Sequence, residues 1–124
     1  LQPTCPLRKA QHIKKCLDLL DDEFDSIVSI KGVEGDHPFR MKKIIGNRLI
    51  NYIDQGFEDM RPRQKLPPVY IRNGAIYLTK AELIRTKSTL VGKNCGFYEM
   101  NHTDSINIDN LSDFYSAEFV MKNS

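Results

Sequence analysis

The chain has 124 residues, of which 40% are apolar and 27% charged, and its net charge is +2. That is enough for one domain with a sizeable core. It argues against a dedicated nucleic-acid binder, which needs a clustered basic surface, and no apolar run approaches the roughly 20 residues that span a bilayer. Cys5, Cys16 and Cys95 are an odd set without a Cys-x-x-Cys pair, so reduced thiols are expected. His12, His37 and His102 lie far apart and make no zinc-ligand spacing.

In chain order, Leu1-Gln2 reads as the tail of a strand, because Pro3 and Pro6 stop a sheet interior. Residues 9–21 predict an amphipathic helix, with Ile13, Cys16, Leu17 and Leu20 inward and Lys14, Lys15 and Asp18 outward. Ser26-Ile-Val-Ser-Ile30 predicts a buried strand. The pair implies an α/β layer, with a first strand expected just upstream of Leu1. Gly35-Asp36 and Pro38 mark a loop. Lys42–Ile45 and Arg48–Ile53 flank Gly46-Asn47 as a β-hairpin with a tight turn. Its apolar face suggests an arm that packs on a partner subunit.

The stretch Arg63–Lys80 combines a Pro67-Pro68 corner, two short β-rich runs and an Asn73-Gly74 break between them. Such a combination suits a polar ligand site, yet by pattern alone a hairpin or strand connection carries more weight. Thr79 and Glu82 form a capping-box pattern for a helix to about Lys87. Gly96–Met100 predicts a strand. Asp104–Asp109 alternates, which predicts another short strand with Asn107 and Asp109 on one face. Asn110 caps a last helix whose inner stripe would be Leu111, Phe114, Tyr115, Ala117 and Met121.

Among residues that can do chemistry, Asn107 and Asp109 present two oxygen-bearing side chains at i and i+2, suited to a hard cation. A capped strand-to-helix turn explains them better from pattern alone. Arg63 and Arg40 have the fork that binds carboxylate or phosphate, though each also fits a solvated loop. His37 reads as a general base or as an incidental His-Pro loop residue. Cys5 reads as structural, having no nearby His or basic partner of the kind that makes a nucleophile. No Ser-His-Asp set, phosphate-cradling glycine loop or carboxylate pair is present.

Several segments together resemble the acylneuraminate cytidylyltransferases: Leu1-Gln-Pro-Thr-Cys-Pro-Leu-Arg8, His37-Pro38-x-Arg40, Pro62-Arg-Gln64 with Leu66-Pro67, Asn73-Gly-Ala-Ile-Tyr77, and Asp104–Asp109 followed by Asp113-Phe114. Singly they are weak; in this order and spacing they are specific. The resemblance covers this whole chain but only the C-terminal part of the family's sequence, and the family's N-terminal phosphate-binding segment is absent.

The resemblance implies part of an α/β, Rossmann-like three-layer nucleotidyltransferase fold. Residues 1–124 would be the C-terminal part of one domain, with a protruding β-hairpin dimerisation arm at about 38–66 that reaches across the partner subunit of a homodimer. It implies transfer of CMP from CTP to a sialic-acid-like nine-carbon sugar acid with Mg²⁺, releasing pyrophosphate. It implies no nucleic-acid or membrane partner, and a cytoplasmic location, or a nuclear one in an animal. Carried over by position, Gln2, Arg40, Arg63, Asn73 and Tyr77 would bind substrate, Arg63 and Asp109 would serve catalysis, and Asp109 and Asn107 would bind metal.

Four positions depart from the family's pattern. Asn107 stands where it has an aspartate, which predicts weaker metal binding. Cys5 replaces a serine. Leu90-Val91 replace an aromatic pair found in some members, which alters the pocket for the N-acyl group. Two alternatives accompany this reading. One is a cytidylyltransferase for ketodeoxyoctonic, legionaminic or pseudaminic acid. The other is a non-catalytic sugar-binding or dimerisation fragment.

Overall fold

The computed structural model describes residues 1–124, which separate into two compact units. The larger unit comprises residues 1–31 and 71–124; the smaller comprises residues 32–70.

The larger unit is built on a three-stranded sheet. β1 (Ser26–Gly32) lies between β4 (Tyr70–Thr79) and β5 (Cys95–Glu99). β1 and β5 run parallel, from Ser26 opposite Cys95 to Ile30 opposite Glu99. β4 runs the other way: Lys80 N–H donates to Asp25 O, and the Ser29 hydroxyl bonds Ile76. The sheet is therefore mixed, and the chain is α/β as expected. Helix α1 (Ala10–Leu19) lies against β5. Helix α2 (Ala81–Lys87) follows β4, and α3 (Leu111–Lys122) ends the chain.

The core gathers Cys5, Cys16, Ile27, Ala75, Ile76 and Met100, with Ile13, Leu20, Phe24, Leu78 and Tyr98 packed around it. Burying an isoleucine such as Ile27 stabilises the fold by about 1.5–3 kcal/mol. All three cysteines are free thiols. Burial pushes the Cys16 thiol up to about 11. α1 turns Cys16 inward and Lys14, Lys15 and Asp18 outward, as its spacing predicts, but Leu17 is exposed and His12 is buried instead. His12 earns its burial with two partners: its Nδ1 accepts from Lys9 N–H at 2.9 Å, and its Nε2 lies 3.3 Å from an Asp104 carboxylate oxygen.

Five expectations are corrected. Leu1-Gln2 is not in a strand. The Asn73-Gly74 break is no turn, because β4 runs through it without interruption. The Asn73 side chain folds back on its own strand, its Oδ1 accepting from Ala75 N–H at 3.1 Å, so an apparent break is satisfied inside the sheet. Thr79 does not cap α2. Lys80 occupies that position, and the Thr79 hydroxyl donates to Leu90 O at 2.6 Å. Residues 104–109 form turns rather than a strand, since Asp104 and Ser105 bond back to Asn101 and leave no ladder. The α3 stripe is mostly exposed. Only Ala117 is buried, because large apolar residues are spread around the helix and it offers the core its small side.

In the smaller unit, β2 (Lys42–Ile45) and β3 (Arg48–Asn51) form the expected antiparallel hairpin. Ile45 pairs with Arg48 across a two-residue loop, and Gly46 has φ +62°. Glycine at the first central position matches the twist of paired strands without steric cost. Ile44, Leu49 and Tyr52 remain exposed. Lys42 bonds Glu58 and Asn51 at the hairpin base. No helix of the chain is long and apolar enough to cross a membrane.

Candidate functional site

In the larger unit, polar side chains from three separate segments meet around Gly74. Asn73 anchors the position from below. It is 4% exposed, and its amide is fully engaged: Oδ1 accepts from the Ser29 hydroxyl at 2.6 Å and Ala75 N–H, while Nδ2 donates to Ser105 Oγ at 2.9 Å and faces Met100 Sδ at 3.4 Å. Ser29 in turn accepts from Ile76 N–H at 2.8 Å, so two hydroxyls and one amide satisfy this part of the sheet. The structure thus places Asn73 in the core, with its side chain consumed by internal bonds.

Gly74 follows with φ +78°. A Cβ there would lie 2.5 Å from Gln2 Oε1 and 3.0 Å from Asn107 Nδ2. Gln2 and Asn107, far apart in sequence, therefore converge over Gly74 and bury it. The Asn107 Oδ1 is buried and has no hydrogen-bond partner, which costs free energy unless a ligand or water fills it.

The surrounding segments are tied down. Arg8 Nη1 donates to Gln2 O and Ala75 O, both at 2.9 Å, fastening the N-terminal segment to β4. Ile108 N–H donates to Thr4 O at 2.8 Å, joining that segment to the one carrying Asn107. Asn110 caps α3 as expected, accepting from Asp113 N–H at 2.9 Å, and Asp113 accepts from Asp109 N–H at 3.1 Å. This reciprocal cap fixes the Asp109 backbone and leaves its side chain exposed. Burial raises the Cys5 thiol; Arg8 opposes that rise and the Asp109 charge adds to it.

Tyr77 lies farther along β4 and is half-buried. Arg40 and Arg63 belong to the smaller unit, and both are exposed. Arg40 Nη2 reaches Arg61 O at 3.5 Å; Arg63 Nη1 lies 3.6 Å from Glu34 Oε2. His37 is buried with both ring nitrogens engaged. Nε2 lies 2.8 Å from Pro67 O, and Nδ1 accepts from Phe39 N–H at 3.1 Å. It braces the loop rather than serving as a free base. Hydrogen bonds from the Arg61 guanidinium and backbone N–H hold the Asp59 carboxyl down to about 2.

Arg8, Ser29 and Ser105 escape a reading by residue type. Their roles depend on contacts made across the fold, and nothing in their local sequence signals them.

A mixed sheet with two amides converging over one strand defines an α/β protein with a candidate polar site. The chain belongs to the acylneuraminate cytidylyltransferase family. It is 33% identical over 119 residues to an N-acylneuraminate cytidylyltransferase of Streptococcus agalactiae, covering 92% of this chain and 27% of the relative. It is 23% identical over 123 residues to the post-translational flagellin modification protein B of Campylobacter coli, covering 98% and 51%. Over 83 residues it is 28% identical to the CMP-N,N'-diacetyllegionaminic acid synthase of Campylobacter jejuni, covering 67% and 34%. The chain thus spans about half the length of one of these relatives and about a third or less of the other two. No family model matches it.

Proposed function

We propose that this chain forms the sugar-side part of a cytidylyltransferase that transfers CMP from CTP to a sialic-acid-like nine-carbon sugar acid. The observation that carries this reading is the convergence of Gln2 and Asn107 over Gly74, with an unpaired buried oxygen on Asn107. Two converging amides suit a polyhydroxylated ligand, and the relatives' names supply the substrate class. In the reaction, the anomeric hydroxyl of the sugar attacks the α-phosphate of CTP, and pyrophosphate leaves. The protein's share is to position the groups and neutralise charge. In the smaller unit, Arg40 and Arg63 are exposed and carry the fork that binds carboxylate or phosphate. In the larger unit, Asn73 supports β4 from the core and Tyr77 is half-buried farther along it.

Mg²⁺ fits this reading as a cation shared with the nucleotide. Asn107 offers an unpaired oxygen and Asp109 an exposed carboxylate, and no group of three or more His, Cys, Asp or Glu surrounds a point. A Mg²⁺ ion completes such a sparse set with waters and substrate phosphates, and it neutralises phosphate charge when bound.

The exposed Ile44, Leu49 and Tyr52 suit burial against a second copy, giving a homodimer. The reading places the protein in the cytoplasm. A legionaminic-type acid is the second candidate substrate, favoured by the Campylobacter jejuni relative.

The test has two arms. Calorimetry measures binding of N-acetylneuraminic and legionaminic acids to the chain. A coupled assay measures pyrophosphate release from CTP with and without Mg²⁺. Sugar-acid binding with turnover supports the enzyme. Binding without turnover supports a sugar-binding fragment. Binding of neither acid overturns both.

A further inference from the structure

We propose that Gly74 is a positioning residue that sets the Gln2 and Asn107 amides for the ligand, its missing side chain being the space in which they meet. The inference rests on the reading that this cleft takes a sugar acid.

Three observations converge on it. First, Gly74 sits inside a continuous strand, where glycine weakens packing and is normally replaced by a residue with a side chain. Second, what lies over it is neither core nor open solvent. The two atoms nearest a Cβ at this position are the polar ends of two amides, Gln2 Oε1 and Asn107 Nδ2. Third, everything around those amides is immobilised. Arg8 fastens the Gln2 carbonyl, Ile108 N–H fastens the segment beside it, and Asn73 locks the strand immediately before Gly74. With both backbones held, the amides can answer an added methyl only by rotating their side chains. At 2.5 Å from a Cβ, Gln2 Oε1 must move. At 3.0 Å, Asn107 Nδ2 is displaced too, and rotation of that amide carries the unpaired Oδ1 away from its present direction.

A glycine needed only for its backbone conformation would predict a different result. Its replacement would strain β4 whatever residue stood at position 2. A positioning glycine makes the effect of Gly74→Ala depend on Gln2.

The experiment is a double-mutant cycle read by calorimetry with N-acetylneuraminic acid and by side-chain amide signals in ¹H–¹⁵N NMR spectra without ligand. Gly74→Ala and Gln2→Ala should each weaken binding about tenfold, an effect of about 1.4 kcal/mol. The double variant should bind no worse than Gln2→Ala alone. Gly74→Ala should also shift the Gln2 and Asn107 side-chain amide signals. Losses that multiply to about a hundredfold, or amide signals that stay in place, would overturn the positioning role.

If Gly74→Ala does not fold, Gln2→Asn with Gly74→Ala decides the matter. The shorter amide clears the contact, so recovery of the fold supports the proposal, and continued unfolding assigns the cost to φ and overturns it. A wild-type protein that fails to bind the sugar, with the amide shifts intact, would refute the sugar reading while leaving the positioning of Gln2 standing.

Discussion

Replacing Asn73 by alanine tests how the sheet is held together. The substitution removes an amide that is 4% exposed and bonded to Ser29, Ala75 and Ser105. Two hydroxyl partners keep other bonds: Ser29 still engages Ile76, and Ser105 still donates to Asn101 O. Ala75 N–H loses its Asn73 Oδ1 acceptor in the core. Losing the bonds to the two hydroxyls costs about 1 kcal/mol each, and orphaning a buried N–H costs about 1–3 kcal/mol. The expected loss is therefore about 3–5 kcal/mol, a large fraction of a domain's usual 5–15 kcal/mol or so. Urea unfolding followed by circular dichroism measures it, with an unchanged slope on denaturant as the control for compactness. Ser29→Ala in the same background should show a coupling of about 1 kcal/mol, because the two side chains share one bond. A loss below about 1 kcal/mol would mean that the network bears little of the fold's stability, and the argument from orphaned donors would fail.

Asn107→Asp should tighten Mg²⁺ binding by adding a negative charge to the unpaired oxygen; calorimetry showing no gain would remove Asn107 from the metal set. The Asp59 carboxyl is lowered by Arg61, so its contribution to stability is fully present above the ordinary value of 3.8 and is lost as pH falls through about 2. A ¹³C carboxyl titration should find that low midpoint, and Arg61→Ala should return it toward 3.8. Cys95 is half-buried whereas Cys5 and Cys16 are buried and raised, so an aromatic disulfide reagent at pH 8 should label one thiol quickly in the native state; three fast thiols would contradict this. Ile44→Asp should abolish a hairpin-mediated dimer in sedimentation, and an unchanged mass would exclude that face from self-association.

Much of the fold is legible in the sequence. The β1 run, the Gly46-Asn47 hairpin, the Asn110 cap and the Cys16 side of α1 follow from periodicity and turn chemistry, which act over a few residues. The failures depend on which hydrogen-bond partner wins, a few residues away or far along the chain. Asn73-Gly74 reads as a break until Ser29 and Ser105 arrive to satisfy the asparagine. Residues 104–109 alternate like a strand, but Asn101 takes their bonds. Thr79 has the chemistry of a cap, yet Leu90 O claims its hydroxyl. The site was legible in the same partial way. Gln2, Asn107 and Asp109 lie in segments that the fold draws together, whereas the Arg8 tether and the space over Gly74 have no local signature.

Asn73 and Gly74 are adjacent residues with opposite duties, one holding the core and the other leaving room for the Gln2 and Asn107 amides. A lineage that remodels the cleft by shifting this strand would disturb its stability at the next residue. New specificity is therefore more accessible through Gln2 and Asn107, which lie off the strand and can vary without rebuilding the sheet. On that view, a substitution in β4 costs the sheet stability, whereas one in the segments laid over it changes the site alone.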